Sequence, residues 1–237
     1  MGSELIGNLG LMRAQKPAIV YLLRHGHSTA NAKSVLAGRD FKVCLSTAGE
    51  KQALAISAEL SETKFAKIYS SPLTRCIQTL EPLATKLKIE IQISEGLIEM
   101  EYGDWSGKKL ALLARNKLWK TIQARPSLVR FPNGESFLEM QSRSLEAVTK
   151  LAIPGKSVLL CSHGDVIKAI VASFLGLHLD KFQSLAIDPA SITILDISGD
   201  AARLRLLNDT SYLKDLRFTG SSDSKLNLGG GGGTARE

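Results

Sequence analysis

Two apolar runs in this chain end in a histidine followed by a glycine, and this repeated pattern constrains the fold more than any other feature. The first run, residues 18–23, is followed by Arg24-His25-Gly26. The second run, residues 157–161, is followed by Ser162-His163-Gly164 and then by a helical pattern. A buried strand of an open α/β sheet has this pattern when it delivers polar groups to the carboxyl edge, where ligands bind. If the two strands are parallel neighbours, both imidazoles lie at the same edge.

The residues after the first run have the chemistry of a phosphate site. The Arg24 guanidinium can bind two phosphate oxygens at once. The His25 imidazole can act as a nucleophile when one ring nitrogen is unprotonated. Gly26 lacks the Cβ that would block the approach of the backbone to a ligand. A single histidine at a strand end is more often an ordinary hydrogen-bonded residue, so the second histidine and the segments described below carry much of the argument.

The order of strand and helix patterns predicts an α/β fold, a three-layer α/β/α sandwich with a mostly parallel central sheet. The predicted strands are residues 18–23, 67–70, 90–93 and 157–161, with a hairpin of residues 191–197 and 203–207. The predicted helices are residues 47–61, 73–87, 110–123, 136–151, 166–175 and 179–185. We expect one domain over residues 18–217, an N-terminal extension over residues 1–17, and a disordered Gly/Ser-rich tail over residues 218–237.

Composition favours a cytoplasmic protein with no membrane partner. No apolar run approaches the roughly 20 residues that cross a bilayer, and the N-terminus lacks the pattern of a secretory signal. The three cysteines, Cys44, Cys76 and Cys161, show no metal-binding spacing, and their odd number argues against a disulfide framework. Cys161 lies in an apolar run and is expected to be a small buried core residue.

A segment rich in lysine and arginine, residues 105–134, is here called the basic segment. It has no Asp or Glu, so its charge of +7 equals the net charge of the whole chain. Its cations are Lys108, Lys109, Arg115, Lys117, Lys120, Arg125 and Arg130. They form either a solvated helix face or a flap that attracts an anionic substrate. Nucleic-acid binding is disfavoured, because aromatic residues make up only 5% of the chain and no stacking platform is present.

Two further segments supply charged groups near predicted strand ends. Arg75 falls in the first turn of a predicted helix that Pro72 can open, where a cation is unfavourable unless an anion binds there as well. After the next strand, residues 97–107 place acids among apolar side chains. Such surroundings raise the pKa of a carboxyl group, which can then act as a general acid near neutral pH. Chemistry alone does not choose between Glu99 and Glu101.

Taken together, these segments resemble the histidine phosphatase superfamily, also called the phosphoglycerate mutase-like family, from about residue 19 to about residue 196. The family motifs match at Arg24, His25, Gly26, Ser28 and Asn31, at residues 70–75, at Leu97, Glu99, Gly103, Trp105 and Gly107, at residues 162–164, and at Gly38 with Leu45, Ser46 and Gly49. Residues 163–168 and 188–191 are similar to a bacterial branch described as probable phosphomutases. The chain departs from the pattern at His27, where an acid or amide is frequent, and at Ser106, where Glu is common.

The resemblance implies a role for each matched residue. His25 becomes phosphorylated, Arg24, Arg75 and His163 form the phosphate pocket with it, and Glu99 is the proton donor and later the base. The substrate-binding residues are expected to be Arg24, Ser28, Asn31, Gly38, Arg75 and Gly164. No cofactor and no metal is implied, because the chain has only four histidines and no ligand cluster accompanies His25 and His27.

The sequence therefore predicts a metal-independent phosphomonoesterase that acts on a small phosphorylated metabolite through a phosphohistidine. The alternative is a phosphomutase of the phosphoglycerate mutase type. Those enzymes have a longer insertion between the acid and the second histidine, with an Arg-Arg pair that is absent between Glu99 and His163. A third hypothesis is a non-catalytic module that binds phosphorylated ligands or proteins on the same fold. The sequence is also compatible with a homodimer.

Overall fold

Six strands form the middle layer of the structure, a computed structural model that describes residues 16–199 and 201–216. They are β1 (Ala18–Arg24), β2 (Phe65–Ser70), β3 (Ile91–Ile93), β4 (Ser157–Ser162), β5 (Ile192–Ser198) and β6 (Ala201–Asp209). Their order across the sheet is β3-β2-β4-β1-β5-β6. Strands β1 to β4 pair in parallel, whereas β5 lies antiparallel to both β1 and β6. The predicted mostly parallel sheet is therefore confirmed.

Seven α-helices flank or connect these strands in the described ranges. They are α1 (Thr29–Ala32), α2 (Thr47–Glu59), α3 (Thr74–Leu87), α4 (Leu110–Leu113), α5 (Lys117–Ala124), α6 (Phe137–Leu151) and α7 (Gly164–Phe174). Short 3₁₀ helices occupy Glu95–Leu97, Gly103–Trp105, Pro126–Leu128, Leu179–Ser184 and Ser211–Leu216. Within the ranges that the structure describes, no helix is both long and apolar enough to span a membrane.

Alternate side chains of the central strands enter two separate cores. Leu22 and Leu160 belong to the larger core, which includes residues of α6 and α7. Leu23 and Cys161 belong to the second core, which includes residues of α2 and α3. Because successive side chains of a strand point to opposite faces, one apolar run fills both cores and produces the three-layer sandwich that the sequence predicts.

The structure corrects three predicted elements. The helix predicted over residues 110–123 is two helices, α4 and α5, because the Asn116 side chain accepts a hydrogen bond from the Leu118 amide and so caps a new helix. Helix α7 starts at Gly164 rather than at residue 166, directly after the end of β4. The helix predicted over residues 179–185 is the 3₁₀ helix Leu179–Ser184.

Residues 1–15 and 217–237 lie outside the described part of the chain, so the predicted extension and the predicted disordered tail remain predictions. Cys76 and Cys161 are buried, Cys44 is partly exposed, and all three are free thiols. The expectation that Cys161 is a core residue is confirmed.

Candidate active site

The register between β1 and β4 brings the two histidines together. Arg24 is paired with Ser162 across the parallel ladder, and the His25 amide donates to the Ser162 carbonyl at 3.0 Å. The residues that follow each strand therefore lie side by side, and the ring centroids of His25 and His163 are 5.2 Å apart. The expectation that both imidazoles share one sheet edge is confirmed.

His25 is held in the form that a nucleophile requires. Its Nδ1 lies 2.8 Å from the Gly26 carbonyl oxygen, which can only accept, so Nδ1 carries the proton and Nε2 keeps its lone pair. Burial, followed by the positive charges of Arg75 and Arg24, lowers the pKa of His25 well below its ordinary value. The imidazole is therefore neutral at physiological pH.

Gly26 has a different role from the one predicted. A Cβ at this position would lie 3.0 Å from the Gly49 carbonyl oxygen of α2, which is tighter than ordinary packing. Gly26 thus allows the close approach of the chain to α2, and its amide donates to the Thr79 hydroxyl at 2.9 Å. The glycine holds His25 through packing rather than by making room for a ligand.

His163 is fully buried and connects two other residues of the site. Its Nε2 lies 2.8 Å from Ser71 Oγ, and its Nδ1 lies 3.3 Å from Nη2 of Arg75. Because a guanidinium only donates, Nδ1 is the acceptor and Nε2 donates to Ser71. Burial and then the Arg75 charge lower the pKa of His163 well below its ordinary value, so this ring is also neutral in the absence of an anion.

Arg75 lies in the first turn of α3, as predicted, and it is almost completely buried. Its Nη2 donates to the Gly38 carbonyl at 2.9 Å. Gly38 has a φ of +55°, and a Cβ there would come within 2.6 Å of Ser106 Oγ. The glycine therefore permits the turn whose carbonyl fixes the guanidinium.

Arg24 is fully buried at the end of β1, and its Nη1 donates to the Ile187 carbonyl at 2.6 Å. Burial lowers the pKa of its guanidinium, whereas the charges of Asp188, Glu99 and Asp165 raise it. An arginine remains protonated under such conditions, so its positive charge lies beside His25.

Glu99 and Glu101, between which the sequence alone did not choose, differ in burial. Glu99 is buried, its Oε1 accepts from the Met100 amide at 2.9 Å, and its Oε2 lies 3.7 Å from Nδ1 of His163. Glu101 is partly exposed and forms an ion pair with Arg39 at 3.5 Å. Burial, and then the charge of Asp165, raise the pKa of Glu99 to about 7. Glu99 is therefore the acid with the properties of a proton donor.

A cleft opens onto these groups. Its lining combines charged and polar residues with small and apolar ones: His25, Ser28, Asn31, Ser34, Val35, Leu36, Ala37, Gly38, Arg75, Glu99, Tyr102 and Leu110. Ser28 and Asn31, which were predicted to bind substrate, both line it and hydrogen-bond to each other as a capping box at the start of α1. Arg24 and Gly164 are buried and do not belong to this lining.

Sequence reasoning missed a buried polar network behind the cleft. The Tyr102 hydroxyl donates to Oδ2 of Asp165 at 2.8 Å, and Nζ of Lys168 lies 3.9 Å from Oδ1 of the same carboxylate. Lys168 also donates to Oε1 of Gln183 at 3.0 Å. Asp165 and Lys168 occupy positions of α7 that face the core, so only the packing of that helix reveals that they are buried.

His27, one of the two departures from the family pattern, is bonded within the scaffold. Its Nδ1 lies 2.9 Å from Oγ of Ser46, the residue that caps α2. Burial, and then the charge of Arg24, lower the pKa of His27. His27 therefore fixes the start of α2 beside His25. Ser106, the other departure, lies against Gly38.

Glu99 should make stability depend on pH. The carboxyl group keeps its proton to a higher pH in the folded chain, so its stabilising contribution is full below pH 4.5 and is lost as the pH rises through about 7. Glutamine does not ionise, so the difference in free energy of unfolding between Glu99→Gln and wild type should depend on pH. We expect this difference to favour the variant by about 3 kcal/mol more at pH 8 than at pH 4. Urea unfolding at both pH values, with Glu101→Gln as the matched control, measures this difference. An equal difference at both pH values would contradict it.

Two imidazoles, two guanidiniums and a buried carboxyl group at the carboxyl edge of an α/β sheet form a site suited to binding and transferring a phosphate group. The chain belongs to the histidine phosphatase superfamily, since the sequence model of branch 1 of that superfamily matches residues 20–210.

Relatives include both phosphatases and mutases. Phosphoserine phosphatase 1 of Hydrogenobacter thermophilus is 30% identical over 81% of this chain and 92% of its own length. The 2,3-bisphosphoglycerate-dependent phosphoglycerate mutase of Thermoplasma acidophilum is 30% identical over 84% of this chain and 96% of its own. The solved mycobacterial glucosyl-3-phosphoglycerate phosphatase superposes with a TM-score of 0.74 at 25% identity, covering 82% of this chain and 100% of that chain.

Proposed function

We propose that this protein is a metal-independent phosphomonoesterase that works through a phosphohistidine on His25. The observation that carries the proposal is the neutral His25 ring, whose Nε2 keeps its lone pair in a cleft that Arg75 and Glu99 also line. Nucleophile, cation and proton donor are the components that phosphoryl transfer requires, and positioning with electrostatic stabilisation supplies most of its catalysis. Three free thiols favour a reducing cytoplasm as the place of action.

In the first step, Nε2 of His25 attacks the phosphorus in line and the bond from phosphorus to the ester oxygen breaks. Glu99 gives its proton to that leaving oxygen, so an alcohol departs and Glu99 becomes a carboxylate. Arg24 and Arg75 stabilise the charge on the equatorial oxygens. The bound phosphate raises the pKa of His163, which then becomes a further charged donor.

In the second step, water attacks the phosphorus of the phosphohistidine. The Glu99 carboxylate accepts a proton from that water, the bond from phosphorus to Nε2 breaks, and inorganic phosphate leaves. Glu99 is thereby returned to its protonated form for the next cycle. The two buried guanidiniums provide the positive charge that a metal ion supplies in other phosphatases.

A mutase is the second candidate, because one of the relatives is a phosphoglycerate mutase. A mutase must retain a substrate that carries a second anionic group. The seven cations of the basic segment are exposed, and the lining of the cleft does not include them. This placement favours hydrolysis. Measuring phosphate release and the interconversion of 2- and 3-phosphoglycerate in the same reaction distinguishes the two activities, and interconversion without release would establish the mutase.

The basic segment is expected to attract substrate through its field. Lys108 and Lys109 precede Leu110 of the cleft, and both are exposed. We predict that Lys108→Glu with Lys109→Glu lowers kcat/KM about tenfold at low salt, and that this effect disappears near 1 M salt, where the Debye length is only about 3 Å. The matched control is Lys64→Glu with Lys67→Glu, which changes two exposed lysines near the amino end of β2. A decrease that is independent of salt would contradict steering.

A further inference from the structure

Two arginines hold the main chain of Glu99, the residue with the properties of a proton donor. The Glu99 carbonyl oxygen accepts from Nε of Arg39 at 2.9 Å and from Nη2 of Arg143 at 3.1 Å. The lining of the cleft includes neither arginine. Both therefore meet the site at the backbone of Glu99 rather than at a bound substrate.

Arg143 uses all five of its N–H groups. Its Nε and Nη2 donate to the two carboxylate oxygens of Glu135, at 3.0 Å and 2.6 Å. The other bonds go to the backbone carbonyls of Gly96, Ile98 and Glu99, at 3.0 Å, 2.8 Å and 3.1 Å. A planar guanidinium with this set of partners cannot turn without losing several bonds at once. A lysine has only three donors and no planar fork, so it could not replace these contacts.

Glu135 connects Arg143 to the second arginine. Its Oε1 also accepts from Nη2 of Arg39 at 3.0 Å and from the Glu101 amide at 2.8 Å. The Glu135 amide in turn donates to the Glu101 carbonyl at 3.0 Å. The side chains of Glu135 and Arg143 are only 13% and 22% exposed, so solvent competes less for these bonds than it does at an exposed ion pair.

Close packing of α6 brings Arg143 to the segment that carries Glu99. A Cβ at Gly96 would lie 2.5 Å from Cβ of Ala147, so the 3₁₀ helix Glu95–Leu97 lies directly against α6. Ala147 follows Arg143 by four residues and therefore lies on the same face of α6. This contact explains why one guanidinium reaches three carbonyls within residues 96–99.

We propose that Arg143 is a positioning residue for proton transfer, which fixes the backbone of Glu99 so that its carboxyl group faces the leaving oxygen. This inference rests on the proposed phosphomonoesterase function and adds a residue outside the motifs that the sequence analysis identified. The role is positional, because the guanidinium holds the Glu99 carbonyl, whereas the carboxyl group bonds to the Met100 amide. Loss of the fork should impair proton transfer and leave the attack by His25 intact.

The first test is Arg143→Lys, which keeps the charge and removes the fork. We expect kcat for n-propyl phosphate to fall between about tenfold and a hundredfold, the loss that follows when a catalytic group is displaced by about 1 Å. The pre-steady-state release of p-nitrophenolate from p-nitrophenyl phosphate needs no proton donor, so its rate should stay within about threefold of wild type. Equal losses for the two esters would overturn the inference.

Arg205→Lys is the matched control, because the Arg205 side chain is 50% exposed and pairs with Asp196 at 3.5 Å. It should leave the rates with both esters within about twofold of wild type. Should Arg143→Lys fail to fold, Glu135→Gln takes its place, since it removes the charge that holds Arg143. The same contrast between the two esters is expected there, with a smaller loss, and equal losses would again overturn the inference.

A double-mutant cycle separates positioning from a general disturbance of the site. In a Glu99→Gln background, Arg143→Lys should lower kcat for n-propyl phosphate by no more than about twofold, because the positioned group is no longer a proton donor. A further loss as large as the one in the wild-type background would show that Arg143 acts through another residue.

The protonation of Glu99 tests the inference without any turnover. The NMR resonance of the Glu99 carboxyl carbon should titrate with a midpoint near pH 7 in wild type. In Arg143→Lys this midpoint should fall by about one pH unit, because a carboxyl group that is held less firmly gains hydration. If wild type hydrolyses neither ester, the phosphomonoesterase function is wrong, and the titration then decides alone whether Arg143 fixes Glu99. An unchanged midpoint means that it does not.

Discussion

Phosphate release should fall by on the order of 10⁴-fold or more when His25 is replaced by alanine, the loss expected when a catalytic nucleophile is removed. The neutral ring with its free Nε2 is the nucleophile in the proposed reaction, and Arg24, Arg75 and His163 cannot replace it because none of them presents an unprotonated nitrogen to the cleft. In the variant, the cavity left by the imidazole should still bind the phosphate anion, so the loss should appear in kcat.

Trapping the covalent intermediate gives a second readout of the same prediction. Wild-type protein incubated with a labelled phosphomonoester and quenched in base should carry label on His25, because a phosphoramidate bond survives base and is lost in acid. His178→Ala is the matched control, since the His178 side chain is 71% exposed and contacts Asp180. Wild-type turnover in His25→Ala, or label elsewhere in the chain, would rule out the proposed mechanism.

Replacing Glu99 with glutamine should affect substrates according to their leaving groups. Alkyl phosphates need a proton on the departing oxygen, and we expect kcat for them to fall about 10² to 10⁴-fold. p-Nitrophenolate leaves without a proton, so formation of the phosphohistidine should remain fast. Hydrolysis of the phosphohistidine should be slow, because the Glu99 carboxylate that acts as the base is missing. The expected result is a burst of about one p-nitrophenolate per site, followed by slow turnover.

The pH dependence of wild-type kcat/KM follows from the protonation of Glu99 and His25. Glu99 must be protonated for the first step, so kcat/KM for alkyl phosphates should decline above a pH of about 7, the pKa of this carboxyl group. His25 must be unprotonated, and its lowered pKa places the acidic limb well below pH 6.5. Glu101→Gln is the control that should keep this profile. A profile that stays flat through pH 9 would contradict the role of Glu99.

The sheet and much of the site could be predicted because their signals are local. Each of the two strands that precede a His-Gly step contains an unbroken apolar run, residues 18–23 in β1 and residues 158–161 in β4, and such a run suits a strand that is buried on both faces. The register that joins Arg24 to Ser162 follows once the two strands are neighbours. The motif around Arg75 likewise contains both the helix start and the cation within a few residues.

Other features depend on packing that the sequence does not display. Glu99 and Glu101 are two residues apart in one segment, and only tertiary burial separates their properties. The contact between Gly26 and Gly49 depends on where α2 lies against β1. Ser71 hydrogen-bonds to His163, but the motif that contains it predicts only a helix start at Pro72 and an anion site at Arg75.

The position of β1 in the sheet has a consequence for how the enzyme acquires its activity. This strand pairs with β4 and β5, which come late in the chain, and not with β2. During synthesis or refolding, the strand that carries His25 therefore has no strand partner until the last third of the polypeptide has docked, and such distant pairing is slow. On refolding, catalytic turnover should therefore return later than helix formation, so the return of turnover measures when the sheet is complete.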